Sequence, residues 1–256
     1  MKKFISNNYT LITLGILFVF ALWTVISYSD GNGNFLFPNP IETFKSLGDL
    51  LGRVYTYQSL GWTLLRTIIG FTIAFIFALI IGVLAGIFKK MQIFLKPLMI
   101  VLKCVPTAAF VYLFLVRSGS RFAPVYIVFL VSFPILYEAV IGGMNNIPQE
   151  IEDTLKLDSH SLFDPILKVK LPLSFPYIAI GLASSFALSI KTEIMAEIIT
   201  GDTNYGLGCM ISGFRQSDPT NLAPIFAIAV IAVIIVLVIS LFSHLIERKM
   251  NEKIGN

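Results

Sequence analysis

Three stretches of the chain carry no charge over twenty residues or more: Tyr9 to Tyr28, Thr67 to Phe88 and Leu222 to Ile246. A bilayer core about 30 Å thick is crossed by a helix of about 20 predominantly apolar residues. Three further stretches have that length but are interrupted: Pro97 to Val116 by Lys103, Phe122 to Ile141 by Glu138, and Phe175 to Ile199 by Lys191, Glu193 and Glu197. The pattern predicts an all-α membrane protein. Its single domain, 1–256, has six transmembrane helices at about 9–28, 64–88, 97–116, 122–141, 175–199 and 222–246. Gly82 and Gly86 make a GxxxG pair in the second span, a spacing that lets two helices approach closely. Pro134 predicts a kink or break in the fourth.

Two polar segments separate the spans. Residues 29–62 begin with the turn-rich SDGNGNFLFPNP, and IETFKSLGDLLGRVYTY then has apolar residues at helical spacing, which predicts a short amphipathic helix at the interface. The second segment, residues 145–172, contains EIEDTLKLDSHSLFDPILKVKLP. Asn146 is placed to cap a helix, Pro148 suits its first turn, and Glu150 and Glu152 favour the positive end of its dipole. Ile151 and Leu155 share a face. The run stalls at Asp158-Ser159-His160-Ser161. Ser161 with Asp164 then forms a second start, Leu162, Phe163, Ile166 and Leu167 supply an apolar face, and Leu171-Pro172 closes it. The segment reads as two short helices with a corner at Ser159. Helices this short are marginal in isolation, so a partner must pack on them. The acidic first helix disfavours anionic lipid and favours a protein.

Composition points to the same solvent. The 256 residues are 56% hydrophobic and 13% charged, with mean hydropathy +0.82, whereas soluble domains carry about 25% charged residues. With six spans and the N-terminus inside, the cytoplasmic side holds eleven basic residues and the outer side five: Lys45, Arg53, Arg117, Arg121 and Arg215. This is the positive-inside bias. The net charge of +4 therefore concerns topology and lipid, not nucleic acid. MKKFISNNYT leads into an apolar region too long for a signal peptide, with no small-x-small site in VISYSDGNG, and so reads as an uncleaved anchor. Cys104 and Cys209 make neither a metal spacing nor a disulfide framework. His160 and His244 have no HExxH or GxSxG context, and no GxxxxGK[ST] phosphate loop occurs.

The 145–172 segment resembles the "EAA" loop of the membrane subunits of ABC importers. Spacing back from Leu171-Pro172 puts Asp153-Thr154-Leu155 at the EAA position and Ser159 at the glycine. Glu152 is the alternative acidic residue if one residue is inserted. VKLP (Val169 to Pro172) matches the family ending. The likeness extends along the chain to TLLRTIIGFTIAFIFALIIGVLAG, KPLMIVLKCVPTAAFVYLFLVRSG, FPILYEAVIGG, AEIITGDTNYGLGCMI and HLIERK. Together they resemble the permease subfamily that imports sulfonates, taurine, nitrate and vitamin precursors. The resemblance implies a type I importer fold, a bacterial plasma (inner) membrane location with both termini cytoplasmic, and a second permease copy in a homodimer. It also implies an extracytoplasmic solute-binding protein and a cytosolic ABC ATPase dimer that binds ATP and Mg, leaving this chain without catalysis or cofactor. ATPase coupling would fall to Asp153, Thr154, Leu155, Ser159, His160, Leu162 and Phe163. A secondary active transporter is the alternative, though it would carry its own coupling-ion site and usually more spans or repeats.

Charge inside a membrane is costly and usually faces a cavity or a partner. Glu138, Lys191, Glu193 and Glu197 are therefore candidate pathway or gating residues. The competing reading is a structural network, with Lys191 paired to a carboxylate of another helix such as Glu138. Glu193 and Glu197 are four apart and share a helix face, while Lys191 points elsewhere. Arg66 and Lys103 read as snorkelling or helix-end residues.

Overall fold

The computed structural model describes residues 8–29, 37–158, 165–201 and 205–254. Among them there are helices and short connections, and no strand. The helices are α1 (Asn8–Ser29), α2 (Pro40–Leu51), α3 (Val54–Ile87), α4 (Lys89–Cys104), α5 (Thr107–Ser118), α6 (Ala123–Asn145), α7 (Gln149–Asp158), α8 (Leu171–Thr200), α9 (Leu207–Ser217) and α10 (Ala223–Ile254).

Proline decides where one span breaks and another does not. Val105, the residue before Pro106, is extended (φ −71°, ψ 132°), the conformation that a following proline imposes. Helices α4 and α5 consequently meet at 90°, so the third span is a broken one. Pro134 does not break α6, which is continuous from Ala123 to Asn145. That helix is enclosed by α3 and α8, and neighbouring helices compensate for the hydrogen bond a proline removes.

Small residues set the core. Thr63, Thr67, Gly70, Ala74, Ala78, Gly82 and Ala85 recur every three or four positions on α3, and all are buried. They let α6 approach almost to backbone contact. A Cβ on Gly70 would lie 2.6 Å from the Val125 carbonyl oxygen and 2.9 Å from Val128 Cβ, and one on Gly82 would lie 2.8 Å from Val140 Cγ1. Gly86 abuts Met144 in the same way. On the other flank of α6, Gly143 meets Ser174, Gly181 meets Ala139, and the Ser132 and Ser189 hydroxyls are 2.7 Å apart.

These contacts fix topology. Gly70, Gly82 and Gly86 each face the residue 58 positions later, Val128, Val140 and Met144, so α3 and α6 run parallel. Along α6 and α8 the partners run in opposite directions, so α8 is antiparallel to both. A chain leaving α3 must return to the starting side before it enters α6. The bent α4–α5 pair therefore returns the chain to the starting side as one span, and with the five continuous apolar helices it makes six candidate crossings among the described residues.

Helix α1 lies at the edge with most of its surface exposed. Its last turns are tied to the start of α2 and α10: Trp23 Nε1 donates to the Pro38 carbonyl at 3.1 Å, Ser27 Oγ donates to that of Phe37 at 3.1 Å, and the Trp23 ring lies 6.2 Å from that of Phe226. The end of α1 and the starts of α3 and α10 thus share one side of the bundle. With α2 and α9, this is called the α9 side; the opposite side carries α7. Helix α2 starts at Asn39, whose side-chain oxygen accepts from Ile41 N–H at 3.0 Å, with Pro40 in its first turn. The α9–α10 connection is a tight Asp218 turn. Hydrogen bonds from Thr220 Oγ1 and from the Thr220 and Asn221 amides hold the exposed Asp218 carboxyl below its usual range.

Two expectations about residues 145–172 need correction. Asn146 does not open α7; it closes α6, with its backbone N–H and its Nδ2 both donating to the Gly142 carbonyl. Leu171-Pro172 does not end a helix. Ile166–Lys170 form a π-helical turn that runs straight into α8. Proline is tolerated in a first helical turn, where its missing N–H is not needed, and the wider π turn precedes it.

Candidate functional site

Glu197 sits near the end of α8 with no exposed surface. Its carboxylate joins three pieces of chain. Arg66 Nη1, from α3, donates to Oε1 at 2.8 Å. Thr63 Oγ1, one turn earlier on α3, lies 3.0 Å from Oε1 and 2.9 Å from Oε2. Gly208 N–H, in the first turn of α9, donates to Oε2 at 2.9 Å. Two bonds close the ring: Leu207 N–H to Thr63 Oγ1 at 2.9 Å and Arg66 Nη1 to the Tyr205 carbonyl at 3.0 Å. The carboxylate lies at a helix N-terminus, where unpaired amides and the dipole favour negative charge.

Only glycine permits this geometry. Gly206 has φ 154°, and a Cβ there would lie 2.5 Å from Glu197 Oε1. A Cβ on Gly208 would lie 2.6 Å from Glu197 Cβ and would also collide with the Ile194 carbonyl. The spacing in AEIITGDTNYGLG therefore has a physical basis: the glutamate binds the amides of the glycine turn that starts α9. Arg66 does not snorkel. It is 6% exposed, ion-paired, and its guanidinium lies 5.6 Å from the Trp62 ring centroid, with Arg121 5.8 Å from that ring. Thr63 and Tyr205 were missed by sequence reasoning. A threonine in an apolar span gives no signal, and Tyr205 meets Arg66 through its backbone oxygen, which side-chain pattern does not reveal.

Below Glu197, a polar line continues on the same face of α8. Ser185, Ser189, Glu193 and Glu197 recur at every fourth position and are 0–1% exposed. Ser189 Oγ donates to the Ser185 carbonyl at 2.7 Å and faces Ser132. Both oxygens of Glu193 lack a hydrogen-bond partner among the described residues.

Glu138 and Lys103 form an ion pair; Lys103 lies in the last turn of α4, a helix-end residue, and Glu138 is not the partner of Lys191. The register explains why. Glu138 lies close to the level of Gly181, which faces Ala139, and the ten residues from there to Lys191 amount to about 15 Å of helix rise. Both members of the pair are open to the surface, with side chains 38% and 52% exposed. Lys191 is also exposed and has no ion pair or hydrogen bond among the described residues. It borders a cavity of about 190 Å³ with Ile190, Ile194, Ala232, Val233, Val236 and Leu237. Glu193 and Glu197 thus lie together in the interior, while Lys191 and the Lys103–Glu138 pair lie on open faces.

At the opposite end, α7 contains the backbone of Asp153, Thr154 and Leu155. Thr154 is exposed, and its Oγ1 donates to the Glu150 carbonyl at 2.8 Å. Leu155 is half-buried, and among the described residues no other helix packs extensively on α7. Ser159, His160, Leu162 and Phe163 lie outside the described residues, as does the Asp153 side chain.

Comparison with known proteins matches this architecture. Residues 76–252 fit the family model "Binding-protein-dependent transport system inner membrane component". A permease of Bacillus subtilis (strain 168), named for transport of aliphatic sulfonates, is 26% identical over 239 residues, covering 91% of this chain and 83% of its own length. The nitrate import permease protein of Leptolyngbya laminosa is 30% identical over 178 residues, covering 65% of this chain and 63% of its own length. The crystal structure of an amino acid ABC transporter with histidines superposes with a TM-score of 0.63 at 18% identity, covering 73% of this chain and 90% of that one. The fold is thus that of a type I importer permease, as the sequence resemblance implied. ATP is bound and hydrolysed by separate subunits, and the function is transport rather than catalysis. The chain belongs to the binding-protein-dependent transport system inner membrane component family: it is a multi-pass inner-membrane permease subunit of an ABC importer.

Proposed function

We propose that two copies of this chain form a homodimeric pathway for a small polar nutrient of the sulfonate, taurine, nitrate or vitamin-precursor type. Both termini and the 145–172 loop are cytoplasmic, and α9 is on the outer side. A solute-binding protein docks on the α9 side. The positive-inside count supports this orientation, and the parallel course of α3 and α6 supports an even number of crossings.

The observation that carries the pathway assignment is a polar line on the outside of α8. Tyr177, Ser184 and Lys191 are all exposed and spaced by seven residues, which keeps them within about 20° of one another per step. Leu173, Ile180 and Leu188 are exposed beside them. A cation and two hydroxyls lining one stripe of a membrane helix suit a wet wall rather than lipid. Lys191, with no counter-charge among the described residues, suits a cargo that bears an anionic group. Lys191→Met is expected to cut uptake at least tenfold, since about 1.4 kcal/mol accompanies each tenfold change, while the complex assembles and hydrolyses ATP at its basal rate. Undiminished uptake by this variant in proteoliposomes would remove Lys191 from the pathway.

Helix α7 is proposed as the coupling helix. It is amphipathic, short and without a core of its own. Replacing Asp153 and Leu155 together by Arg is expected to abolish co-purification of the ATPase while leaving the permease folded. Full retention of the ATPase on an affinity column would refute the assignment.

A further inference from the structure

In the interior of the α9 side the Glu193 carboxyl has no donor among the described residues, one turn along α8 from the carboxylate that holds Arg66. Both Glu193 oxygens are fully buried without a hydrogen-bond partner. The charged groups acting on this carboxyl are Glu197, one turn along α8, and Arg66, on the facing helix α3. Arg66 uses Nη1 for both of its hydrogen bonds. Its Nε and Nη2 have no acceptor among the described residues. A guanidinium carries five N–H donors, and a buried carboxyl without a partner is strongly unfavourable. Among the described residues no donor hydrogen-bonds Glu193 in this conformation, which makes it a group suited to a second conformation.

We propose that Glu193 is a positioning residue of the transport cycle: it receives the Arg66 guanidinium from Glu197 when the permease changes state. This rests on the reading of the chain as a subunit that alternates between two conformations. The step is about 6 Å along α8, one turn, the scale on which packed helices ratchet between discrete arrangements. Its consequence follows from the contacts. When Arg66 leaves Glu197, the Tyr205 carbonyl loses its donor, and the anchor of the Gly206-Leu207-Gly208 turn is reduced to Thr63 and the Glu197 carboxylate. The start of α9 is then loosened. Helix α9 is a latch, closed by Arg66 on Glu197 and released by Arg66 on Glu193. The hydroxyls of Ser189 and Ser132, level with the next turn, leave that part of the seam polar enough to accept the moving charge.

Cys209 is a built-in reporter. It is 8% exposed, and its Sγ lies 3.9 Å from the Glu197 carbonyl oxygen, so its alkylation rate reads the opening of α9. The exposed Cys104 is first replaced by serine. The full complex with its ATPases and binding protein, in nanodiscs, is then treated with N-ethylmaleimide, either nucleotide-free or trapped with ATP and vanadate. Trapping is expected to accelerate Cys209 alkylation roughly tenfold. Glu193→Gln, which keeps the shape and cannot ionise, is expected to abolish that acceleration without changing the nucleotide-free rate. Glu193→Asp is expected to restore part of it. A merely structural Glu193 would alter the nucleotide-free rate instead, and that result, or full acceleration in Glu193→Gln, overturns the proposal. Should Glu193→Gln not assemble, hydrogen exchange of the Leu207 and Gly208 amides in the unaltered complex decides. Protection lost on trapping supports the latch, and protection retained refutes it. Binding-protein-stimulated ATP hydrolysis is followed in the same samples. If the unaltered complex shows none, the two-state transport reading fails, which is a different result from a failed exchange.

Discussion

Glu197→Ala is expected to destabilise the permease by about 3–5 kcal/mol, the range for removing one member of a buried ion pair. The loss is large because a single carboxylate satisfies three donors from two other segments, α3 and the start of α9. Without it, the Arg66 guanidinium is left charged in a site only 6% exposed, and the Gly208 amide and the Thr63 hydroxyl lose their acceptor. The start of α9 then loses its side-chain anchor on α8, leaving Cys209 and Ser212 on the carbonyls of residues 197 and 198. Glu197→Gln should cost less, because its amide oxygen still accepts one or two of these bonds while the charge opposite Arg66 is lost. Thermal unfolding of the purified subunit in detergent, followed by tryptophan fluorescence, measures both. Equal midpoints for the wild type and Glu197→Ala would show that the carboxylate is not the hub its contacts describe.

The second large effect concerns the α3–α6 seam. Gly70→Ala is expected to destabilise by about 1–3 kcal/mol, the usual cost of overpacking. The new methyl would lie 2.6 Å from the Val125 carbonyl oxygen and 2.9 Å from Val128 Cβ. One obstacle is backbone and the other is the stiff branch point of a valine, so neither yields by a rotamer change. Gly142→Ala on α6 is the matched control. Nothing lies within 4 Å of its Cβ position, and the same substitution should be neutral or stabilising by up to about 1 kcal/mol through helix propensity. Chemical denaturation of the two variants in parallel separates seam packing from a general effect of alanine. If Gly142→Ala is the more damaging, Gly70 does not mark a tight contact between α3 and α6.

The four intramembrane charges show where the sequence was readable. Their presence in apolar runs marked them as important, since each is expensive in a bilayer. Helical periodicity put Glu193 and Glu197 on one face, because a four-residue spacing is a local property. Pairing was a different matter. Arg66 and Glu197 are 131 residues apart, and Lys103 and Glu138 are 35 apart. No spacing rule connects such residues, and the sequence alone suggested Lys191 as a partner for Glu138. Prolines behaved similarly. Pro106 and Pro134 look alike in sequence, yet one ends α4 and the other is absorbed within α6, because only the second is enclosed by helices on both sides.

The sequence by itself determined the solvent, the helical class, the apolar spans and the family. Each depends on local hydrophobicity or on motif order, and the bilayer leaves few alternatives to the helix. The tertiary structure decided how the third span crosses, which charges are neutralised, and why a glutamate stands ahead of a glycine turn. Those depend on which helix surfaces meet. That is settled by small residues letting backbones approach and by buried donors finding acceptors, over separations that local pattern does not encode.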